Sequence, residues 1–198
     1  MEIEKPYALH ITWTCYGTWL PGDERGHVSN VLLEQGGFLA KANVPGTAYR
    51  PGNEFTWRRA QQLQKQETVN LTPDQALVVA EALARAAQER GWLIIRCAVI
   101  TNHVHVMVMN CPNDGPLVRR ILKGTSQAAL SDHLGRNRRW WTAGGIDRYK
   151  NDWPAIEAAD QYVANQPGKL AVIVHGRAAG FIPAEELGND SDRDKRRG

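Results

Sequence analysis

Two histidines, His103 and His105, alternate with Val104 inside an apolar segment of the chain. The aliphatic residues on both sides, at 93–100 and 106–109, predict two β-strands. Side chains at positions i and i+2 of a strand project to the same face, so the two imidazoles are expected side by side. Paired imidazoles can bind one divalent metal ion. For these three residues alone, a half-exposed histidine pair with water or carboxylate partners is an equally good interpretation.

A second polar pair, Tyr162 and Gln166, lies in a later segment that is predicted to be helical. Residues four apart occupy one face of a helix, about one turn from each other. A phenol becomes a useful nucleophile only beside an electrophile, such as a phosphate that a metal ion has polarised. The amide of Gln166 offers a neutral oxygen ligand. The alternative is an amphipathic helix whose Tyr162 covers the core while Gln166 supports the C-terminus.

Positive charge is concentrated between residues 115 and 150. Eight Lys and Arg residues stand there against two Asp residues, which gives this segment a net charge of +6, while the whole chain carries +3. A basic segment with interleaved aromatic residues suits a nucleic-acid backbone and unpaired bases. A solvated helix face followed by a basic loop explains the charges equally well. The predicted DNA-binding residues are Arg119, Arg120, Lys123, Arg138, Arg139, Trp140 and Trp141.

The composition is that of an ordinary soluble globular protein, with 198 residues, 42% hydrophobic and 23% charged. The first residues do not resemble a secretory h-region and no apolar run is long enough to cross a membrane, so we expect neither a secretory leader nor a membrane span. Three cysteines without a CxxC spacing argue against a disulfide framework and a cysteine zinc site. We therefore expect a cytoplasmic protein with no membrane partner.

The pattern of elements predicts an α+β fold. Strands are expected at 8–14, 92–100, 103–110 and 170–174, with a short one at 140–142 or 146–149. Helices are expected at 72–90, from 113 or 114 to about 134, and from about 152 to the Pro167-Gly168 pair. This order indicates a ferredoxin-like βαββαβ sandwich with an antiparallel sheet and an extra C-terminal helix that carries Tyr162.

The helix at 72–90 has the clearest boundaries. Thr72, Pro73 and Gln75 form a capping box with proline at the first helical position, and Gly91 stands just past the end. Its buried stripe is predicted to be Leu77, Ala80, Leu83, Ala84 and Ala87.

Residues 1–187 are expected to form a single catalytic domain. The stretch at about 16–58, rich in Gly, Pro and Asn, is interpreted as an insertion after the first strand, with a short hairpin near 28–39. The polar tail at 188–198 is predicted to be disordered.

Four segments together resemble the single-tyrosine transposases of the HUH family. Residues 98–108, which contain Asn102-His103-Val104-His105, are similar to the HUH motif. The segment YVANQ at 162–166 resembles the tyrosine helix of that family, and 121–127 resembles its lysine-bearing helix. The stretch YGTWLPGDERG at 16–26 is similar to a signature of the REP-associated tyrosine transposases. Since Gln166 precedes Pro167, the REP-associated and insertion-sequence subgroups are not separated.

The resemblance implies a role for each of these residues. His103, His105 and Gln166 would bind Mg²⁺ or Mn²⁺, and Tyr162 would attack single-stranded DNA, usually near a hairpin. The products would be a 5′-phosphotyrosine and a free 3′-hydroxyl that can join a new strand. A homodimer is possible in such a family, and Tyr149 is a candidate accessory tyrosine. The alternatives are a catalytically idle single-stranded nucleic-acid-binding protein of the same fold and a structural zinc site, which the missing cysteine ligands disfavour.

Overall fold

The computed structural model describes residues 7–24 and 52–181, and the following elements belong to those two ranges. Strand β1 (Ala8–Thr14) precedes helices α1 (Glu54–Gln62) and α2 (Pro73–Gln88). Strands β2 (Leu93–Ile100) and β3 (His103–Met109) form a hairpin that leads into α3 (Gly115–His133). The remaining elements are β4 (Ile146–Lys150), α4 (Trp153–Ala164), β5 (Lys169–Val174) and β6 (Arg177–Gly180).

The six strands form one antiparallel sheet in the order β4-β1-β3-β2-β5-β6. Its first four strands, with α2 and α3 as the crossover helices, have the order of a ferredoxin-like βαββαβ fold. The predicted fold class is therefore confirmed. Helix α4 follows this unit, and the β5–β6 hairpin extends the sheet beside β2.

The main hydrophobic core lies on the face of the sheet that α2 and α3 cover. Leu9, Ile11 and Trp13 point into it from alternate positions of β1. Helix α2 contributes Leu83 and α3 contributes Leu122, both fully buried. Because alternate residues of β1 enter this core, His10, Thr12 and Thr14 must project from the opposite face.

Helix α2 begins as the sequence predicts. Thr72 Oγ1 accepts a hydrogen bond from the Gln75 amide, and Gln75 Oε1 accepts one from the Thr72 amide, at 3.3 and 3.2 Å. Gly91 follows the end of the helix with a φ of +68°, which a residue with a Cβ rarely adopts. Of the predicted stripe, Ala80, Leu83 and Ala87 are buried, Ala84 is partly buried against the core, and Leu77 is only half-buried. The helix packs on both α3 and the sheet, so its buried face is wider and also includes Val79, Ala82 and Ala86.

Helix α4 covers the other face of the sheet with a small second core. Ile156, Ala159 and Val163 are buried at helical spacing and pack on Met107 and on the small residues of β1 and β2. Asp160 forms a two-pronged ion pair with Arg96 of β2, with distances of 2.8 and 2.7 Å. This pair fixes how far the helix can rotate about its own axis.

The structure contains elements that the sequence did not predict, and two predictions concern residues that it does not describe. Helix α1 was not predicted, and it overlaps the end of the stretch interpreted as an insertion and extends beyond it. Strand β6 was also unexpected. The hairpin near 28–39 and the tail at 188–198 lie outside the described residues. Across 7–24 and 52–181, no helix combines the length and the apolar character that crossing a membrane requires.

Candidate active site

The histidine pair lies on the face of the sheet that α4 covers. The rings of His103 and His105 are 4.9 Å apart, centre to centre, on neighbouring same-face positions of β3. Strand β1 places Thr12 opposite His105 and Thr14 opposite His103. The side-by-side arrangement that strand alternation predicts is therefore present.

A third histidine, His10 of β1, belongs to the same cluster, and the sequence analysis missed it. His10 Nε2 lies 3.2 Å from Nδ1 of His105, and Thr12 Oγ1 lies 3.0 Å from the same atom. The signal was present in the sequence, because His10, Thr12 and Thr14 are polar at alternate positions of an otherwise apolar strand.

Hydrogen bonds hold the Nδ1 side of both β3 histidines. Asn102 Oδ1 accepts from Nδ1 of His103 at 2.6 Å, so the proton of that ring lies on Nδ1 when the ring is neutral. The nitrogen of His103 with a lone pair for a metal is then Nε2, the pattern in which an outer hydrogen bond orients a metal-binding imidazole. Nδ1 of His105 contacts Thr12 Oγ1 and His10 Nε2, each of which can donate or accept a hydrogen bond.

Burial keeps the imidazole rings of His10 and His105 neutral. It lowers the pKa of His105 to about 3, with smaller contributions from His103, His10 and Arg148. It also lowers the pKa of His10 to about 4, with contributions from Arg148 and Lys150. Since only a neutral imidazole binds a metal ion, His105 is in the required protonation state near pH 7.

Helix α4 brings Tyr162 to this cluster within the same chain. Its ring centre lies 5.5 Å from that of His105 and 5.8 Å from that of His10, edge-on in both cases. Tyr162 is 53% exposed, whereas His105 is 5% exposed. The phenol therefore lies at the rim of the site, where a large substrate can reach it.

Gln166 lies beyond the end of α4, not on it as predicted. The helix ends at Ala164, Asn165 is its C-cap, and the Gln166 amide still donates to Val163 O at 3.3 Å. The side-chain Nε2 of Gln166 donates to Tyr162 O at 3.2 Å. The helix ends early because Pro167 disfavours helical backbone at the preceding residue.

The side chains at the site offer a mixed set of metal donors. The imidazoles of His103 and His105 supply nitrogen, which suits first-row transition ions, and the amide of Gln166 next to Tyr162 carries an oxygen, which suits harder ions such as Mg²⁺ and Mn²⁺. In the described part of the chain, no three His, Cys, Asp or Glu side chains are arranged to hold one ion. A metal bound here would therefore depend on Gln166, on the substrate or on water for its further ligands.

Trp19 is a second residue of the site that sequence reasoning did not single out. Its ring lies 5.7 Å from that of His103, and its backbone has a φ of +52°, which is strained for a tryptophan. The loop that carries it is held over the β2–β3 turn by Thr18, whose hydroxyl donates to Cys15 O at 2.7 Å and Asn102 O at 3.4 Å. Within the described part of the 16–26 signature, Trp19 thus packs against His103.

Two cations of the basic segment have internal partners. Arg119 of α3 forms an ion pair with Asp147 of β4, with a quarter or less of either side chain exposed. Lys123 donates to the carbonyl oxygens of Thr142 and Gly144. Burial, together with the charge of Arg119, lowers the pKa of Lys123 to about 8, although the charge of Asp147 opposes both. Both side chains therefore position the chain between α3 and β4.

The predicted role of Trp140 and Trp141 was wrong. Their exposed fractions are 1% and 4%, and both belong to the main core, where no base can stack on them. Arg138 packs over Trp140 at 5.0 Å and donates to Glu67 O, and Arg139 lies 5.8 Å from the Tyr16 ring. Arg120 is exposed and lines an open pocket with Arg119 and Lys123. These residues lie on the α3 side of the sheet, away from Tyr162.

Tyr149 is also separated from the site. It pairs in register with Leu9, so its side chain projects to the α3 face, and its hydroxyl accepts a hydrogen bond from the Gly115 amide at 3.1 Å. Tyr149 helps to hold the start of α3 and is not positioned as an accessory nucleophile.

Comparison with solved structures finds a REP-associated tyrosine transposase bound to a REP hairpin, at 10% sequence identity and a TM-score of 0.42. The match covers 80% of this chain, and it spans 65% of the length of that neighbour. No family model matches the sequence, and no curated protein does. A similarity this low does not establish a function, so the functional conclusion depends on the geometry of the site.

Proposed function

We propose that this protein nicks and rejoins single-stranded DNA, in the manner of a transposase, with Tyr162 as the nucleophile. The observation that carries the proposal is the edge-on placement of the exposed Tyr162 ring against the buried His105 and His10 rings. A phenol at the rim of a neutral imidazole cluster can reach a phosphodiester that the cluster holds. Hairpin-containing single strands are the proposed substrate class.

Each step assigns a task to the residues of this chain. His103 and His105, with Gln166, would hold Mg²⁺ or Mn²⁺, which when bound withdraws charge from the phosphate. The phenol oxygen of Tyr162 attacks phosphorus and loses its proton. A tyrosine–phosphate bond forms as the bond from phosphorus to the 3′ oxygen breaks, and that oxygen takes up a proton. The reverse reaction with another 3′-hydroxyl joins two strands.

His10 and Thr12 act behind the site by orienting His105. Their contacts with Nδ1 fix the direction in which the ring points. Asn102 does the same for His103. These outer contacts explain why the sheet places polar side chains on a face that is otherwise apolar.

The test is formation of a covalent adduct with a pool of hairpin-containing single strands and Mn²⁺, detected as a denaturation-resistant shift in protein mass. Tyr162→Phe is expected to abolish the adduct. Tyr149→Phe is the matched control, because that tyrosine is similarly exposed but faces the other side of the sheet. An adduct that persists in Tyr162→Phe would overturn the assignment. Salt-sensitive DNA binding without any adduct in the parent protein would instead favour the idle binding protein.

A further inference from the structure

Strand β4 places two cations on the face of the sheet that carries the histidine cluster. In the antiparallel register with β1, Arg148 lies opposite His10 and Lys150 lies opposite Ala8. Directly opposed residues project to the same face. Because β4 is an edge strand, these two side chains line the outer margin of that face beside the site.

The alternate residues of β4 are used differently. Asp147 pairs with Arg119, and Tyr149 accepts from the start of α3, so the positions that face α3 serve packing. Arg148 is exposed, and its guanidinium has no ion-pair partner among residues 7–24 and 52–181. Arg96, a cation on the same face, is neutralised by Asp160. Contacts with α3 therefore explain the residue types at Asp147 and Tyr149, but no contact within the described residues explains the positive charge at Arg148.

Arg148 lies next to the cluster. Its partner across the β1–β4 ladder is His10, whose Nε2 lies 3.2 Å from Nδ1 of His105. A fixed cation next to a site proposed to hold a divalent ion is unfavourable unless an anion contacts both. A phosphodiester group that lies between them supplies that anion.

We propose that Arg148, with Lys150 beside it, binds the phosphate backbone of the single DNA strand that enters the site, so that the strand crosses β4 to reach Tyr162. This inference rests on the proposed function for the chemical nature of the strand. The sequence predicted DNA-binding residues on and after α3. The proposed path of the strand instead follows the edge of the sheet nearest His10. Arg148 is thus a substrate-positioning residue.

Binding alone tests the path. In a Tyr162→Phe background, which cannot be complicated by cleavage, fluorescence anisotropy measures the affinity for fluorescein-labelled oligothymidine over a series of salt concentrations. Loss of one phosphate contact to a single strand lowers the slope of log K against log salt by about 0.7, which corresponds to about fivefold weaker binding near ~0.1 M salt. Arg148→Ala is expected to show this loss, and Arg148→Lys is expected to restore the slope.

Arg177→Ala is the matched control. Arg177 is an exposed arginine on β6, at the other edge of the same sheet, roughly 24 Å away at ~4.8 Å per strand. It is expected to leave both affinity and slope unchanged. An Arg148→Ala protein that binds oligothymidine like its parent, with the same slope, would overturn the inference, as would an equal loss in Arg177→Ala.

A second measurement separates this inference from the proposed function. With Tyr162 intact, Arg148→Ala is expected to need about fivefold more DNA for half-maximal adduct, with the saturated rate less affected, since the lost contact is to the flanking backbone. If the parent protein forms no adduct but its DNA binding depends on Arg148, the proposed path of the strand is supported and the proposed nicking activity is refuted. If the adduct forms and Arg148→Ala changes neither the affinity nor the DNA concentration for half-maximal adduct, the nicking activity is supported and the proposed path is refuted.

Discussion

The buried histidine cluster should make the stability of the protein unusually sensitive to mild acid. His10 and His105 are 4% and 5% exposed, and burial lowers the pKa of their rings to about 4 and about 3, from 6.5. In the unfolded chain both rings regain the ordinary value and bind protons below about pH 6.5. The unfolded state therefore gains protons first, and the free energy of unfolding falls as the pH is lowered through this window.

The size of the effect follows from proton linkage. Between pH 7 and pH 5, each ring loses about 2 kcal/mol of its contribution to the free energy of unfolding, so the pair loses about 4 kcal/mol. His10→Asn removes one of the two titrating rings and a cause that lowers the pKa of the other. We expect the loss over the same pH range to be about 2 kcal/mol smaller in this variant than in the parent.

Urea denaturation at pH 7 and pH 5, followed by tryptophan fluorescence in the presence of a chelator, measures this difference. The chelator matters because a bound metal would compete with protons for the same rings. Carboxylates titrate equally in both proteins and cancel. His133→Asn, at an exposed position in the last turn of α3, should retain the parent's pH dependence. If the parent and His10→Asn lose the same free energy, the rings are not buried as neutral groups and the argument is refuted.

Three further predictions concern stability and reactivity. Thr72→Ala removes the cap of α2 and should lower the free energy of unfolding by about 1 kcal/mol in urea, while Thr72→Ser should restore it. Asp147→Ala leaves Arg119 without its partner and should lower the free energy of unfolding by about 3 kcal/mol. An unchanged midpoint of urea denaturation would show that the pair contributes nothing to stability. Burial raises the pKa of the Cys15 and Cys97 thiols, so Ellman's reagent should modify them only after unfolding, and rapid labelling of the native protein would contradict their burial.

Local signals explain which elements the sequence predicts well. The alternation at 8–14 gives β1 with its observed bounds, and the capping box at Thr72 gives the start of α2. Helix α1 was missed because it buries no residue and therefore has no apolar stripe to detect. Its start is determined by Asn53, which accepts from the Thr56 amide, in a stretch whose composition suggested only loop.

Local signals likewise predict some residues of the site but not those that depend on tertiary contacts. The pairing of His103 with His105 follows from strand alternation within one segment, so spacing alone predicts it. The contribution of His10 depends on the register between β1 and β3, and that of Trp19 depends on a loop folding over the β2–β3 turn. The alternation of polar residues in β1 indicates the face of His10, but neither the His10 contact nor the Trp19 contact follows from neighbouring residues. Trp140 was misassigned for a related reason, because its basic neighbours suggested a surface position while tertiary packing placed its ring in the core.

The contrast between exposed and buried groups explains how one sheet face can serve both stability and chemistry. Alanines at positions 8, 98 and 159 let α4 lie close to the sheet, and the Arg96–Asp160 pair fixes its rotation, so Tyr162 emerges at the rim while His10 and His105 stay covered. The buried imidazoles of His10 and His105 stay neutral, as a metal ligand must, and an exposed phenol remains accessible to a polymer. Any nucleic-acid strand that reaches this tyrosine from the side of β4 must pass Arg148. The same packing that hides the histidines therefore also limits the directions from which a substrate can approach them.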